Sequence, residues 1–242
     1  MTDFLVTRRR LLLSAGAGVL GVTVLNTVTG CTSDSPATPP ASASPPSSLD
    51  WKRVDLTFVS AYLLIRGREV AIVDLGTGGS ADAIEAALKG AGSSWDAVRH
   101  IVLTHQHPDH AGGLAGVPPK VGATLYAGAA DVAAITSDKP LKPLNDGDEV
   151  FGLQIIGTPG HTSGHISVFD PSTGVLVAGD ALRTSDGLAG SDPRYTADEG
   201  QAAASIRKLA ALPVKTVLPG HGDPLTSGAA DQLRKLAASL PS

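Results

Sequence analysis

The chain has 242 residues, 42% hydrophobic and 17% charged, enough apolar material for one sizeable core with appendages, and it is neither fibrous nor disordered throughout. Nineteen Lys and Arg against 23 Asp and Glu leave a formal charge of -4, which excludes nucleic-acid binding driven by bulk positive charge. A single cysteine, Cys31, excludes a disulfide framework and any zinc site built from several thiolates.

Residues 1–30 read as an export signal. Arg8, Arg9 and Arg10 precede the apolar stretch Leu11–Leu25, whose 15 residues are too few to span a bilayer comfortably as a permanent helix. The order Thr7-Arg8-Arg9-Arg10-Leu11-Leu12 is similar to a twin-arginine leader, although a general secretory leader can also carry three arginines. Val28-Thr29-Gly30-Cys31 resembles a bacterial lipobox, which implies acylation of Cys31 and a membrane anchor on the extracytoplasmic side; the alternative is a free cysteine in a linker. Residues 31–48 are rich in Ser, Pro, Ala and Thr and read as an extended tether, and residues 49–242 as the folded domain. Removing residues 1–30 takes away three arginines and Asp3, so the mature charge is -4 minus 2, or -6.

In the folded part, strands are expected at Val54–Val59, Ala61–Ile65 and Val70–Val73, the last two joined by a turn at Gly67. A helix over Ala81–Leu88 ends at Gly90 and Gly92, and Arg99–Leu103 is a buried strand. Further strands are expected at Thr124–Tyr126, Val150–Ile156, Ile166–Phe169, Val175–Ala178 and Thr216–Leu218. Helices are expected near Ala129–Ile135 and over Ala197–Ala211 and Ser227–Leu240. Strands interleaved with helices fit two sheets with outer helices better than a bundle.

The chemistry concentrates after the Arg99–Leu103 strand, in Thr104-His105-Gln106-His107-Pro108-Asp109-His110-Ala111-Gly112-Gly113. Four metal-ligating side chains within six positions, on a loop at a strand end, point to a divalent ion. Nitrogen and oxygen donors without thiolate suit zinc, manganese or iron and disfavour a closed structural zinc site.

His105-Gln106-His107-Pro108-Asp109-His110 resembles the H-x-H-x-D-H motif of the metallo-β-lactamase superfamily of hydrolases. Gly160-His161-Thr162-Ser163-Gly164-His165, Ala178-Gly179-Asp180 and Pro219-Gly220-His221-Gly222 follow that family's pattern in order. The resemblance implies an α+β fold, a four-layer αββα sandwich with the metals at one edge. It further implies two divalent ions, zinc or else manganese or iron. His105, His107 and His161 would hold one ion, Asp109, His110 and His221 the other, and Asp180 would bridge. Asp109 would also orient the metal-bound hydroxide that attacks the acyl carbonyl. Asp74, in Val73-Asp74-Leu75-Gly76, would support the site from behind, or else form an ordinary turn, and His165 would hydrogen-bond behind the ligands. His100 reads as a structural residue.

Departures narrow the substrate. A bridging Asp180 is not expected of dedicated β-lactamases, and His107 stands where di-iron oxygen reductases of this fold carry glutamate. Arg183 occupies the place of a tyrosine common in lactonases of the fold. A missing donor there matters least for a thiolate leaving group, with a pKa of about 8.5, so the expected substrate is a small acyl compound, a thioester before an ester or lactone. The ligand pattern is like that of glyoxalase II, but only 21 residues follow His221, too few for that family's added glutathione-binding helices. Arg183, Arg194 and Tyr195 either bind an acidic substrate group or form a solvated loop. Two other readings stay open. One is a persulfide dioxygenase with a single iron on His105, His161 and Asp180; the other is a non-catalytic surface lipoprotein that binds metal or ligand.

Overall fold

The computed structural model describes residues 48–117 and 121–241. The leader, Cys31 and all but the last residue of the tether lie outside them. The first sheet runs β1 (Asp50–Asp55), β2 (Ser60–Arg66), β3 (Glu69–Val73), β4 (Val98–Leu103), β5 (Thr124–Gly128) and β6 (Leu141–Leu144), in that spatial order. Its first three strands are antiparallel, whereas β3 to β6 are parallel. The first parallel pair is joined through helix α1 (Ala81–Gly90), since a parallel connection needs a crossover. The second sheet contains β7 (Glu149–Val150), β8 (Leu153–Gly157), β9 (Ile166–Asp170), β10 (Val175–Arg183) and β11 (Ala189–Gly190), with β12 (Thr216–His221) parallel to β10. One helical turn, α2 (Pro108–Ala111), follows β4, and α3 (Glu199–Ala210) and α4 (Ala229–Ser239) complete the chain.

Because strand side chains alternate between faces, each central strand feeds two cores. In β2, Leu63 packs beneath α1 while Tyr62 and Leu64 face the second sheet; in β3, Val70 and Ile72 divide from Ala71 and Val73 in the same way. In the second sheet, Val168 and Val177 face inward, whereas Phe169, Leu176 and Val217 pack with Ile206 and Leu209 of α3 and Leu233 of α4. Three apolar layers between four layers of secondary structure make the αββα sandwich expected from the sequence.

Several expected elements shift. The first strand ends at Asp55 rather than running to Val59, because Asp55 Oδ1 accepts from the Thr57 N–H at 3.0 Å and Thr57 turns to a φ of 80°. The Val150–Ile156 strand is broken into β7 and β8 by a turn at Phe151-Gly152, both at positive φ. In place of a helix over Ala129–Ile135 there is one 3-10 turn, Val132–Ala134, after which Ile135 returns to the extended region. Strands β6 and β11 were not foreseen; short, half-exposed and polar-flanked, they carry almost no alternation.

Far from the ligand motifs, Asp170 is buried at the end of β9, where Arg66 reaches it at 2.8 Å and Ser172 and Thr173 donate to it. Burial opposes its ionisation, but the Thr173, Ser172 and Arg66 donors hold its carboxyl below the ordinary range. A depressed folded pKa stabilises the native chain above the unfolded value of about 3.9, and that stabilisation is lost as pH falls through the folded pKa. Asp170→Asn should therefore lose about 2–4 kcal/mol of unfolding free energy at pH 7, and the gap to wild type should narrow in unfolding curves taken below about pH 4.

Candidate metal centre

The ligand motifs meet where the C-terminal ends of β3, β4 and β5 face the ends of β10 and β12, the edge where open parallel sheets place ligands. After β4, the chain turns at an extended His107 into α2, with Pro108 in the first helical turn, so Asp109 and His110 project from one turn while His105 and His107 precede it. The His161 loop is gripped by the start of α3: Ala197 and Asp198 donate to the carbonyls of His161 and Gly160 at 3.2 and 2.9 Å. Gly160, at φ 135°, lies where a Cβ would stand 2.3 Å from the Ala202 nitrogen, so only glycine admits this approach.

All seven expected ligands converge. His107 Nδ1 lies 3.1 Å from His105 Nε2 and 2.9 Å from His161 Nε2. His221 Nε2 lies 3.4 Å from Asp109 Oδ2, and His110 Nε2 lies 3.7 Å from the same oxygen. Asp180 touches both groups, with Oδ1 3.3 Å from His110 Nε2 and Oδ2 3.4 and 3.2 Å from the Nε2 atoms of His161 and His221.

The hydrogen bonds behind these residues fix which nitrogen faces inward. Thr104 Oγ1 donates to Asp74 Oδ2 at 2.8 Å, so it must accept from His105 Nδ1–H at 3.0 Å, leaving His105 Nε2 bare. His110 Nδ1–H donates to Asp74 Oδ2 at 2.8 Å and His221 Nδ1–H to the Phe58 carbonyl at 2.7 Å. Ser191 Oγ donates to the Asp180 carbonyl, hence accepts from His161 Nδ1–H at 2.9 Å. Four imidazoles thus turn their Nε2 atoms inward: those of His105 and His161 are bare lone pairs, and those of His110 and His221 face the Asp180 and Asp109 carboxylates, where a cation would take the place of a proton. His110 Nε2 and Asp180 Oδ1 are buried without a hydrogen-bond partner, which the same cation would explain. The donor set fits two divalent ions of the zinc, manganese or iron type.

The electrostatics agree. Burial pushes His105 well below its ordinary value and His161 down to about 4. Burial also opposes protonation of His110, yet the Asp180 and Asp74 carboxylates hold it well above the ordinary value. Contacts to Asp109 and Asp180 lift His221 to about 10. Asp180, despite the opposing effect of burial, is kept well below the carboxylate range by His110 and His221. The negative potential that holds these protons is what a divalent cation would neutralise.

Asp74 is 2% exposed at φ 63° and accepts from Thr104 N–H at 2.7 Å as well as from the Thr104 hydroxyl and His110, so within one motif it supports His110 directly and His105 through Thr104. His165 does not point into the centre. Its Nε2 accepts from the Asp180 N–H at 3.0 Å, and its Nδ1–H donates to Thr158, which continues to Ser167 and the Ala178 carbonyl. That chain requires a neutral ring, in accord with the drop to about 3 that burial imposes.

The three residues suggested for substrate diverge. Arg183 lines a groove of about 450 Å3 with Ser191, Ile206 and Leu240, its Nε donating to the Gly190 carbonyl. Arg194 is clamped on Asp192, and Tyr195 is 63% exposed. Sequence reasoning missed Ser191, Thr104, Phe58 and Asp131, which orient ligands or their loops; no motif spacing marks them, and Thr104 alone adjoins one. His100 lies at the start of β4, away from the centre, against Tyr126 and Phe151.

A sandwich carrying this nitrogen and oxygen cluster at the strand ends is the architecture of a metal-dependent hydrolase. The chain belongs to the Metallo-beta-lactamase superfamily, whose pattern matches residues 54–221. It is 34% identical over 129 residues to a hydroxyacylglutathione hydrolase of Rhodobacter capsulatus, covering 51% of this chain and 48% of that protein. The chain thus spans about half the length of that relative. Among solved structures, the BLEG-1 B3 metallo-beta-lactamase shares 27% identity and a TM-score of 0.62 over 77% of this chain and 97% of that one. TTHA1623, solved in a di-iron-bound form, shares 29% identity and a TM-score of 0.56 over 75% and 92%.

Proposed function

We propose that the chain is a dinuclear metal-dependent hydrolase of a small acyl compound, a thioester first. It would work outside the cytoplasm, from a lipid anchor on Cys31. The observation that carries the reading is the set of four imidazoles whose outward nitrogens are all hydrogen-bonded, so that their inward ones turn toward one another and toward Asp109 and Asp180, where divalent cations would fit. His105, His107 and His161 would hold one ion, Asp109, His110 and His221 the other, with Asp180 shared. When bound, such ions supply Lewis acidity that activates water near neutral pH and polarises a carbonyl.

The chain's own residues do the rest. Asp109 sits at the rim, 27% accessible, and stays ionised because its contacts with His221 and His110 outweigh burial, so it can accept a hydrogen bond from an incoming water and orient its lone pair. Neutral His165 holds the Asp180 backbone, and Ser191 ties the Asp180 carbonyl to His161, so the shared carboxylate is fixed before substrate arrives. Support for a thioester comes from relatives named as hydroxyacylglutathione hydrolases. It also comes from Arg183, whose place offers no phenol to a basic leaving group.

Metal analysis of the domain from residue 49 onward, with a screen of thioesters, esters, lactones and a chromogenic β-lactam, tests this. About two zinc, manganese or iron ions per chain with thioester turnover is expected. One iron with oxygen consumption and no hydrolysis would move the function to persulfide oxidation, and two ions with no turnover of any substrate to a binding protein. The anchor is tested separately: wild type, but not Cys31→Ala, should partition into membranes.

A further inference from the structure

Asp131 belongs to none of the ligand motifs, yet its side chain is buried, 1% exposed, at the end of β5. Its Oδ2 accepts from the Gln106 N–H at 3.0 Å and the Thr162 hydroxyl at 2.6 Å, and its Oδ1 from the Gly164 N–H at 2.7 Å. Gln106 lies between His105 and His107, and Thr162 directly follows His161. One carboxylate therefore binds a neighbour of every histidine in one triad. None of these bonds goes to a residue adjoining Asp109, His110 or His221.

The carboxylate is itself held in place. The Asp131 N–H donates to the Gly128 carbonyl at 2.9 Å and its carbonyl accepts from Ala134 at 3.0 Å. The two loops also touch backbone to backbone: a Cβ on Gly128 would fall 1.8 Å from the Gly164 carbonyl oxygen, and one on Gly164 would fall 2.3 Å from the Asp131 nitrogen. The loops come from different sheets, and the His107 ring, with one Nδ1 between two Nε2 atoms at 2.9–3.1 Å, can donate a single proton to hold them. The Asp131 carboxylate adds three bonds that tie the two loops together independently of a metal. The three donors use both carboxylate oxygens, whereas an amide keeps one acceptor oxygen and turns an NH2 toward the donors on the other side.

We propose that Asp131 is a positioning residue that fixes the spacing of His105, His107 and His161 and so sets the affinity of that triad for its ion. The inference rests on the metal-centre reading above. The test is chelator competition and stoichiometry on the full chain loaded with zinc, with cobalt absorption as a spectroscopic readout, for wild type, Asp131→Asn, Thr162→Val and Asp170→Asn. Asp131→Asn should weaken one ion by about 10- to 100-fold, leave the other within about 3-fold, and alter one part of the cobalt spectrum. Thr162→Val, which removes one donor and leaves the carboxylate, should weaken the same ion by about 3- to 10-fold, and it decides the matter if Asp131→Asn fails to fold. Asp170→Asn, a buried change elsewhere, should keep both ions at wild-type affinity. Unchanged affinities in folded variants, or equal weakening of both ions, would overturn the inference alone. A wild-type chain that takes up no metal would overturn the metal-centre reading and this inference together.

Discussion

Asp74→Asn is expected to leave the chain folded and to weaken metal binding by at least about 10²-fold. The amide oxygen can still accept from the Thr104 N–H, where Asp74 Oδ1 accepts now. Its NH2 then takes the place of Oδ2, where it must donate to the Thr104 hydroxyl and to His110 Nδ1. His110 would have to carry its proton on Nε2, facing the metal. Thr104, no longer donating to Asp74, would donate to His105 Nδ1 and reverse that ring as well. One substitution would thus remove a lone pair from each ion, by the wrong-tautomer logic known for catalytic triads. Asn tolerates the positive φ of 63° that this position requires, so the far-ultraviolet spectrum should be unchanged. Asp74→Ala differs: it strands buried donors at Thr104 and His110 at a strained φ and should destabilise the metal-free chain by about 3–5 kcal/mol. Nitrogen-detected NMR of the histidine rings, together with chelator competition, checks both. Unchanged Nδ1 protonation of His105 and His110 in Asp74→Asn would sink the argument.

Asp180→Ala should lower acyl hydrolysis by about 10³-fold or more. Its carboxylate reaches His110 with one oxygen and His161 and His221 with the other, and so spans both ligand groups. Without it the two sites lose their shared anion, and stoichiometry should fall below two ions per chain. The backbone at this position should persist, because the Asp180 N–H bond to His165 and the Asp180 carbonyl bond to Ser191 do not involve the side chain. The gap between melting temperatures with and without metal should therefore shrink, since it measures ligand binding to the native state. Two tightly held ions and a near wild-type rate in this variant would show that Asp180 does not serve as the bridge.

Much of the molecule was legible in the linear chain. The unbroken apolar runs Ala61–Ile65 and Val70–Val73 and the apolar spacing of Ile84 and Leu88 in α1 report burial directly, because a strand between two layers is covered on both faces and the helix repeat is local geometry. The ligand types were legible too: His105, His107, Asp109 and His110 lie within six positions, and metal chemistry restricts which donors can crowd so closely. Tertiary structure alone decided what stands behind those ligands. Ser191 and Phe58 each reach a ligand through one hydrogen bond and Asp131 reaches the ligands' neighbours through three, all from separate loops, while Thr104 adjoins the motif; nothing in the local sequence requires these roles. The same holds where a turn interrupted an apolar run, at Phe151-Gly152, and where a single 3-10 turn replaced a helix after β5. Periodicity records which face a residue shows to the core, whereas tautomer, spacing and loop contact depend on groups that are distant in the chain and adjacent only after folding.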